Sequence, residues 1–140
     1  HNDFAIYNII FNNEKPVGII DFDVAAPGPR IWDIAYTLYT CVPLSRLYYS
    51  ESGDAIYNDS IRDASRIKQR VKLFFESYGA EGMKKGIIDV VLLRIEALCK
   101  LMQRKANEGD KAFQKMIDEG HYEHYQKDLE FIREHGEEWI

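Results

Sequence analysis

The sequence predicts a mainly α fold: one short β-hairpin near its start, followed by about five helices. Three observations lead there. β-Branched and aromatic runs flank a polar turn within residues 8–22, apolar residues recur at three and four from residue 31 onward, and Pro, Gly and Asn interrupt that rhythm at helix-length intervals. With 140 residues, 46% of them hydrophobic, the chain is the size of a single domain and can bury one core.

The hairpin arms are Asn8 to Phe11 and Pro16 to Phe22, joined by Asn12-Asn13-Glu14-Lys15, a polar turn that tolerates positive φ. Pro16 can open the second strand because a first strand position need not donate to the ladder. Ala25-Ala26-Pro27-Gly28-Pro29 continues neither strand nor helix. A first helix, Ile31 to Val42, carries Ile31, Ile34, Ala35, Leu38 and Val42 on one stripe and stops at Pro43; its apolarity on most sides predicts a central position. Residues 44–58 read as loop, with 48–54 as its tip. Ser60 with Asp63 resembles a capping box for a helix whose stripe runs Ile61, Ala64, Ile67, Val71, Phe74, Phe75 and Tyr78 to a stop at Gly79. A third helix runs from Met83 or Ile87 to Asn107, with Ile87, Val91, Arg94, Leu98, Leu101 and Met102 at helical intervals. Asp110 to Glu119 is a shorter one, stopped by Gly120, and Tyr122, Tyr125, Leu129 and Ile132 mark a last helix ending near His135-Gly136.

Composition narrows the function. A net charge of −5 argues against a binder held by phosphate neutralisation, so no nucleic-acid partner is expected. Eight acids against two bases fall in residues 118–140, a distribution that predicts a solvated face on the last helix. Cys41 and Cys99 are far apart and sit in apolar helices, which reads as reduced core thiols. No apolar run approaches the roughly 20 residues of a membrane span, so the chain is expected to be soluble and cytoplasmic. His121 and His124 lie three apart without a third ligand in view and read as exposed helix residues rather than a metal pair.

The chemistry is concentrated at the start. Asp3 precedes the first strand, Asn8 begins it and Asp21 ends the second, so strand pairing brings Asn8 near Asp21 at one end of the ribbon, with Asp3 several ångströms away. Aspartate and asparagine oxygens are hard ligands of the kind Mg²⁺ takes, one or two carboxylates being completed by the oxygens of a phosphate-bearing substrate. One carboxylate as base, with an Asn and an Asp on magnesium, is the division of labour of kinase-type phosphoryl transfer.

Three pieces stand in order: His1-x-Asp3 with Asn8, then Ile20-Asp21-Phe22-Asp23, then Pro27-Gly28-Pro29-Arg30-Ile31-Trp32-Asp33-Ile34-Ala35-Tyr36. Together they resemble the C-terminal lobe of the aminoglycoside phosphotransferase and choline kinase family, which has the protein-kinase-like fold. The likeness is close over residues 1–43 and general beyond. It implies Mg²⁺-assisted phosphoryl transfer from ATP or GTP to the hydroxyl of a small acceptor such as an aminoglycoside or amino alcohol. By the same resemblance Asp3 would be the catalytic base, Asn8 and Asp21 the ligands of magnesium and, through it, of the nucleotide, and His1 a structural support. Asp33 would brace the catalytic loop from the following helix, its alternative being an acid favoured by the helix dipole. Asp23 stands where protein kinases have glycine, and either assists the metal or caps the turn.

Such enzymes carry a phosphate-covering loop and a strand lysine ahead of the catalytic loop, whereas this chain opens with that loop. The expectation is therefore a C-terminal lobe whose nucleotide-binding lobe is missing, inactive alone, with apolar surface bared around the hairpin and a tendency to self-associate. The acidic end is compatible with a cationic acceptor. Two other classes compete, a non-catalytic kinase-like binding module and a helical interaction domain. Retention of Asp3, Asn8 and Asp21 together favours the enzyme, since a lapsed site has no need of the set.

Overall fold

The computed structural model describes residues 1–50 and 52–140. Two small antiparallel hairpins and five helices make up the fold, in the order β1 (Ile9–Asn12), β2 (Lys15–Ile19), α1 (Arg30–Cys41), β3 (Leu47–Tyr49), β4 (Ala55–Tyr57), α2 (Ala64–Tyr78), α3 (Ile87–Asn107), α4 (Lys111–Asp118) and α5 (His121–His135). This is the mainly α architecture that the periodicity predicts. β1 and β2 pair Ile9 with Ile19 and Asn12 with Lys15, and a register shift falls between Ile10 and Phe11. Asn13 and Glu14 both adopt positive φ, 48° and 65°, the conformation a tight two-residue hairpin turn requires.

The second hairpin is a departure from the loop expected over residues 44–58. Leu47 pairs with Tyr57 and Tyr49 with Ala55. Each strand has only three residues, so turn-forming neighbours dominate the local pattern, yet both are aromatic or β-branched in part. Asn58 secures the base: its Nδ2 donates to the carbonyls of Pro43 and Ser45 at 2.8 and 2.6 Å, and Arg66 Nη2 donates to its Oδ1 at 3.1 Å. The tip expected over residues 48–54 includes Glu51, which lies outside the described residues.

α2 also begins later than the stripe suggests. Ile61 sits in a turn and is 89% exposed. A turn over residues 60–63 precedes the helix and is capped by Asp59, whose Oδ1 accepts from the N–H groups of Ile61 and Arg62, while Asp63 Oδ2 accepts from the N–H of Asp59; Asp63, at the N-cap of α2 itself, makes no side-chain cap bond. Reciprocal bonding of this type is the capping-box principle shifted by one residue. Beyond it, Ile67, Val71 and Phe75 at four-residue spacing are buried, and Gly79 closes the helix at φ 71°.

At the centre of the bundle α3 packs against α1, α4 and α5. α1 is central as well, as its apolarity predicts, and is buried from Ile34 to Tyr39. The buried face of α3 is set by Ile87, Ile88, Val91, Ile95, Cys99 and Met102. After α5 the chain makes a single 3₁₀ turn over Gly136–Trp139 that seats Trp139, fully buried, against α2. Cys99 is buried and Cys41 half-buried, both as free thiols, and burial pushes both thiols up from their ordinary value. No helix among the described residues is long and apolar enough to cross a membrane.

Space at the last turn is tight. A methyl group on Gly136 would stand 2.7 Å from Ile88 Cγ2 and 3.3 Å from Ile132 Cγ2. Gly136→Ala is expected to destabilise the fold by roughly 1–3 kcal/mol through overpacking, read as a lower midpoint in chemical denaturation. An unchanged midpoint would show that the turn has room the geometry does not allow.

Candidate active site

Residues 1–8 form one loop that ends in a 3₁₀ turn, Ile6–Asn8, directly before β1. Ala5 is fully buried and anchors its middle, and the Asn8 N–H donates to the Ala5 carbonyl at 2.9 Å. The Asn8 side chain is buried and turns back into the loop, its Nδ2 donating to the Asp3 carbonyl at 2.9 Å and to Asp3 Oδ2 at 3.1 Å. The several-ångström gap expected between Asp3 and Asn8 is therefore closed, because the 3₁₀ turn folds five residues back on themselves. With Nδ2 committed, Oδ1 is the Asn8 atom left for a cation. Asp3 Oδ1 accepts from the Tyr7 hydroxyl at 3.2 Å, and that hydroxyl lies 3.3 Å from the hydroxyl of Tyr36.

Three groups hold this loop. Asp33, in the first turn of α1, accepts from the Asn2 N–H on Oδ1 at 2.8 Å, and its Oδ2 lies 3.4 Å from the His1 nitrogen. His1 receives the Asp3 N–H on Nδ1 at 3.3 Å and donates from Nε2 to the Ile20 carbonyl at 2.9 Å. Its ring also packs on Phe22, centroids 4.5 Å apart. Arg94 of α3 donates to the Asn2 carbonyl at 2.7 Å and lies over the Tyr36 ring at 4.5 Å. Burial pulls the Arg94 guanidinium below its usual value, and its Nε has no partner among the described residues. Asn2, at φ 66°, completes the loop by donating from Nδ2 to the Val24 carbonyl at 3.1 Å.

The Ile20 N–H donates to the Asn8 carbonyl at 3.0 Å, so the ribbon ends with Asn8 beside the backbone that leads into Asp21. Asp21 adopts φ 63°, a conformation that Asp and Asn tolerate better than most residues. Asp21 and Asp23 are both exposed, and among the described residues neither carboxylate is hydrogen-bonded or ion-paired. No cluster of three or more His, Cys, Asp or Glu suited to a metal occurs among the described residues. An amide oxygen with two uncommitted carboxylates nevertheless fits Mg²⁺, which is commonly held by one or two carboxylates plus the oxygens of a bound phosphate.

A cleft of about 680 Å³ runs from Tyr7, whose hydroxyl bonds Asp3, and Tyr36 along α1 to His124 and Tyr125 on α5. Residues at and behind its far wall correct two expectations. Asp128 belongs to the acidic C-terminal stretch but is 1% exposed, and His124 is half-buried rather than free in solvent. Asp128 Oδ2 accepts from the Tyr39 hydroxyl at 2.5 Å and lies 3.2 Å from His124 Nε2, while Oδ1 accepts the Arg46 N–H at 2.9 Å. His121 is exposed, with Nε2 3.6 Å from Glu119. The other seven acids of that stretch are exposed.

Sequence reasoning missed Asn2, Tyr7, Arg94 and Asp128 as parts of this region. Arg94 and Asp128 did leave a signal, a charged residue at core spacing on an otherwise apolar helix face; Tyr7 and Asn2 left none.

An aspartate–asparagine loop and a two-strand ribbon carry hard oxygen donors at one edge of a helical bundle, an arrangement suited to phosphate chemistry. The family model described as the phosphotransferase enzyme family matches residues 1–74, more than half of the chain, and the chain belongs to that family. The match runs from the loop through both hairpins and most of α2. No curated protein and no solved structure matches the chain.

The Asp128 hydrogen bond raises His124 above its ordinary value, against a smaller opposing effect of burial. A raised imidazole adds stability that is complete below its unfolded value of about 6.5 and is lost as pH rises through the folded one. His124→Gln should therefore lower the melting temperature most near pH 5.5, with the deficit shrinking toward pH 9. A deficit that grew with pH would reverse the sign of the coupling.

Proposed function

We propose that the protein transfers a phosphoryl group from ATP or GTP, with Mg²⁺, to the hydroxyl of a small molecule, and that residues 1–23 supply the base and the metal ligands. The observation that carries this reading is the single hydrogen-bonded unit formed by Asp3 and Asn8, tied to the approach to Asp21 by the Ile20 to Asn8 backbone bond.

Asp3 is the base. Its Oδ1 already accepts a hydroxyl hydrogen bond from Tyr7 on the cleft side, and an acceptor hydroxyl entering the cleft would donate in the same way. As that oxygen bonds to the γ-phosphorus of the nucleotide, the bond from that phosphorus to the β,γ-bridging oxygen breaks, the nucleoside diphosphate leaves, and the hydroxyl proton passes to Asp3, a transfer of the kind that contributes about 10²–10⁴-fold. Asn8 and Asp21 would hold the metal, with Asp23 as a further exposed carboxylate at the same end of the ribbon. Bound Mg²⁺ neutralises charge on the phosphate oxygens. Asp33, Arg94 and His1 act through the backbone, keeping Asp3 and Asn8 in register with the ribbon, and positioning of this sort is much of what phosphoryl transfer asks of a protein.

The nucleotide-binding lobe belongs, in this reading, to a segment outside these 140 residues, and the chain alone is inactive. Ile10, Phe11, Val17, Ile19, Ile20 and Phe22 are all 45% exposed or more, an apolar face around the hairpin that such a lobe would cover and that otherwise favours self-association.

In the full-length protein, Asp3→Asn is expected to lower kcat by at least about 10²-fold while nucleotide affinity stays near that of the unmodified protein. Steady-state kinetics together with nucleotide titration distinguish the two quantities. Turnover retained in Asp3→Asn would remove Asp3 from the role of base.

A further inference from the structure

Behind the far wall of the cleft, held to its lining residues His124 and Tyr39, lies a carboxylate that phosphoryl transfer itself does not require. Asp128 is buried and both of its oxygens are committed, to Tyr39 of α1, to the backbone of Arg46 ahead of β3, and to His124 one turn earlier on α5. Three separate parts of the chain thus meet on one carboxylate. Such a contact orients the imidazole: Nε2 faces Asp128, and the other ring edge is the one a ligand in the cleft can meet. His124 and Tyr39 both line that cleft, as do Tyr7 and Tyr36, whose hydroxyls connect it to Asp3.

The charged lining is predominantly basic. Arg70, His121 and His124 border the cleft, and the acid among its lining residues, Glu119, is shared between His121 and Lys115 at 3.6 Å each. The exposed acids of α5, Glu123 beside His124 and Glu130 and Glu134 farther along, are not part of this wall. Burial raises the phenols of Tyr36, Tyr39 and Tyr125 well above their ordinary value, so they serve as neutral hydroxyls. The wall suited to a ligand therefore combines tyrosine faces and hydroxyls with an imidazole whose charged form Asp128 favours.

We propose that His124, fixed by Asp128, is the specificity-determining residue of the acceptor cleft, and that the cleft takes a hydroxylated compound bearing a carboxylate in preference to an amine. The inference rests on the phosphotransfer reading only in calling this ligand the phosphate acceptor. It departs from the cationic acceptor that the acidic C-terminal stretch suggested. The groups facing His124 are Asp128, which favours the imidazolium, Arg46 and Lys127, which oppose it, and the neutral hydroxyl of Tyr39 bonded to the same carboxylate. Preference for an anion should accordingly be strongest at low pH and fade as the imidazole loses its proton.

Three pyranoses that differ mainly in charge test this: D-glucuronate, D-glucose and D-glucosamine, titrated into the chain without nucleotide and followed by NMR chemical shifts. At pH 6 glucuronate is expected to bind about tenfold more tightly than glucose, the scale of one well-placed charge pair, with glucosamine weakest. The margin of glucuronate over glucose should narrow as pH is raised to 9, and His124→Gln should remove it while glucose still binds. Equal affinities, a preference for glucosamine, no binding by any of the three, or a preference that survives His124→Gln would overturn the proposal. The pH series on the unmodified chain decides the matter even where the variant fails to fold. Nucleotide and Mg²⁺ are absent from this titration, so it does not test the assignment of the base. A reversed preference would therefore sink this inference alone, and turnover by Asp3→Asn would sink the assignment of the base alone.

Discussion

The carboxylate of Asp33 is the constraint on which the rest of the site depends. It stands in the first turn of α1 and takes the Asn2 N–H at 2.8 Å, joining the segment that carries Asp3 to a buried helix. A loop of eight residues has little packing of its own, and ordering each residue costs on the order of 1–2 kcal/mol of backbone entropy. Asp33 offsets part of that cost from one side and Arg94 from the other, through the Asn2 carbonyl. The loop is thereby referred to both α1 and α3, the pair of helices at the centre of the bundle.

Among the described residues, the non-glycine positions with left-handed φ besides Asn13 and Glu14 of the hairpin turn are Asn2 and Asp21, both where this clamping acts. Each flanks a group assigned to the chemistry, Asn2 preceding Asp3 and Asp21 itself being the ribbon's terminal carboxylate. Residues in sparsely populated backbone regions persist when their surroundings over-determine them. Here the surroundings are Asp33, Arg94, the Val24 carbonyl that receives the Asn2 amide, and His1, which spans from the Asp3 N–H to the Ile20 carbonyl. The His1 bonds link the loop to the second strand without passing through the first, and so Asp3 and the end of the ribbon keep a common reference.

Much of this was legible in the sequence, and the reason is locality. Hairpin and helices follow from short periodic patterns, and the loop, ribbon and first-helix residues that identify the family lie within residues 1–36. What escaped the sequence depends on long-range contacts. The second hairpin has strands of three residues whose support comes from Asn58 and Arg66. Ahead of α2, Asp59 rather than Ser60 accepts the free N–H groups, and the chain turns over residues 60–63 before the helix begins at Ala64. Asp128 read as one more acid in a charged stretch, although it lies three residues after Tyr125 and four before Ile132 on the buried side. Its burial is satisfied by Tyr39, 89 residues away in the chain, a pairing that no local pattern encodes. Tyr7 reaches Asp3 only because the 3₁₀ turn doubles the loop back, a fold that strand register alone did not anticipate.

Asp33 organises the Asp3–Asn8 unit rather than merely opening a helix. Residue-resolved amide hydrogen exchange with ¹H–¹⁵N chemical shifts for Asp33→Ala against the unmodified chain tests this. Faster exchange and shifted resonances are expected for Asn2 to Asn8, including the Asn8 side-chain amide, and for Ile20 to Val24, while Val91, Ile95 and Cys99 of α3 keep their protection. An undisturbed loop in Asp33→Ala, or a loss of protection spread evenly through the helices, would contradict it.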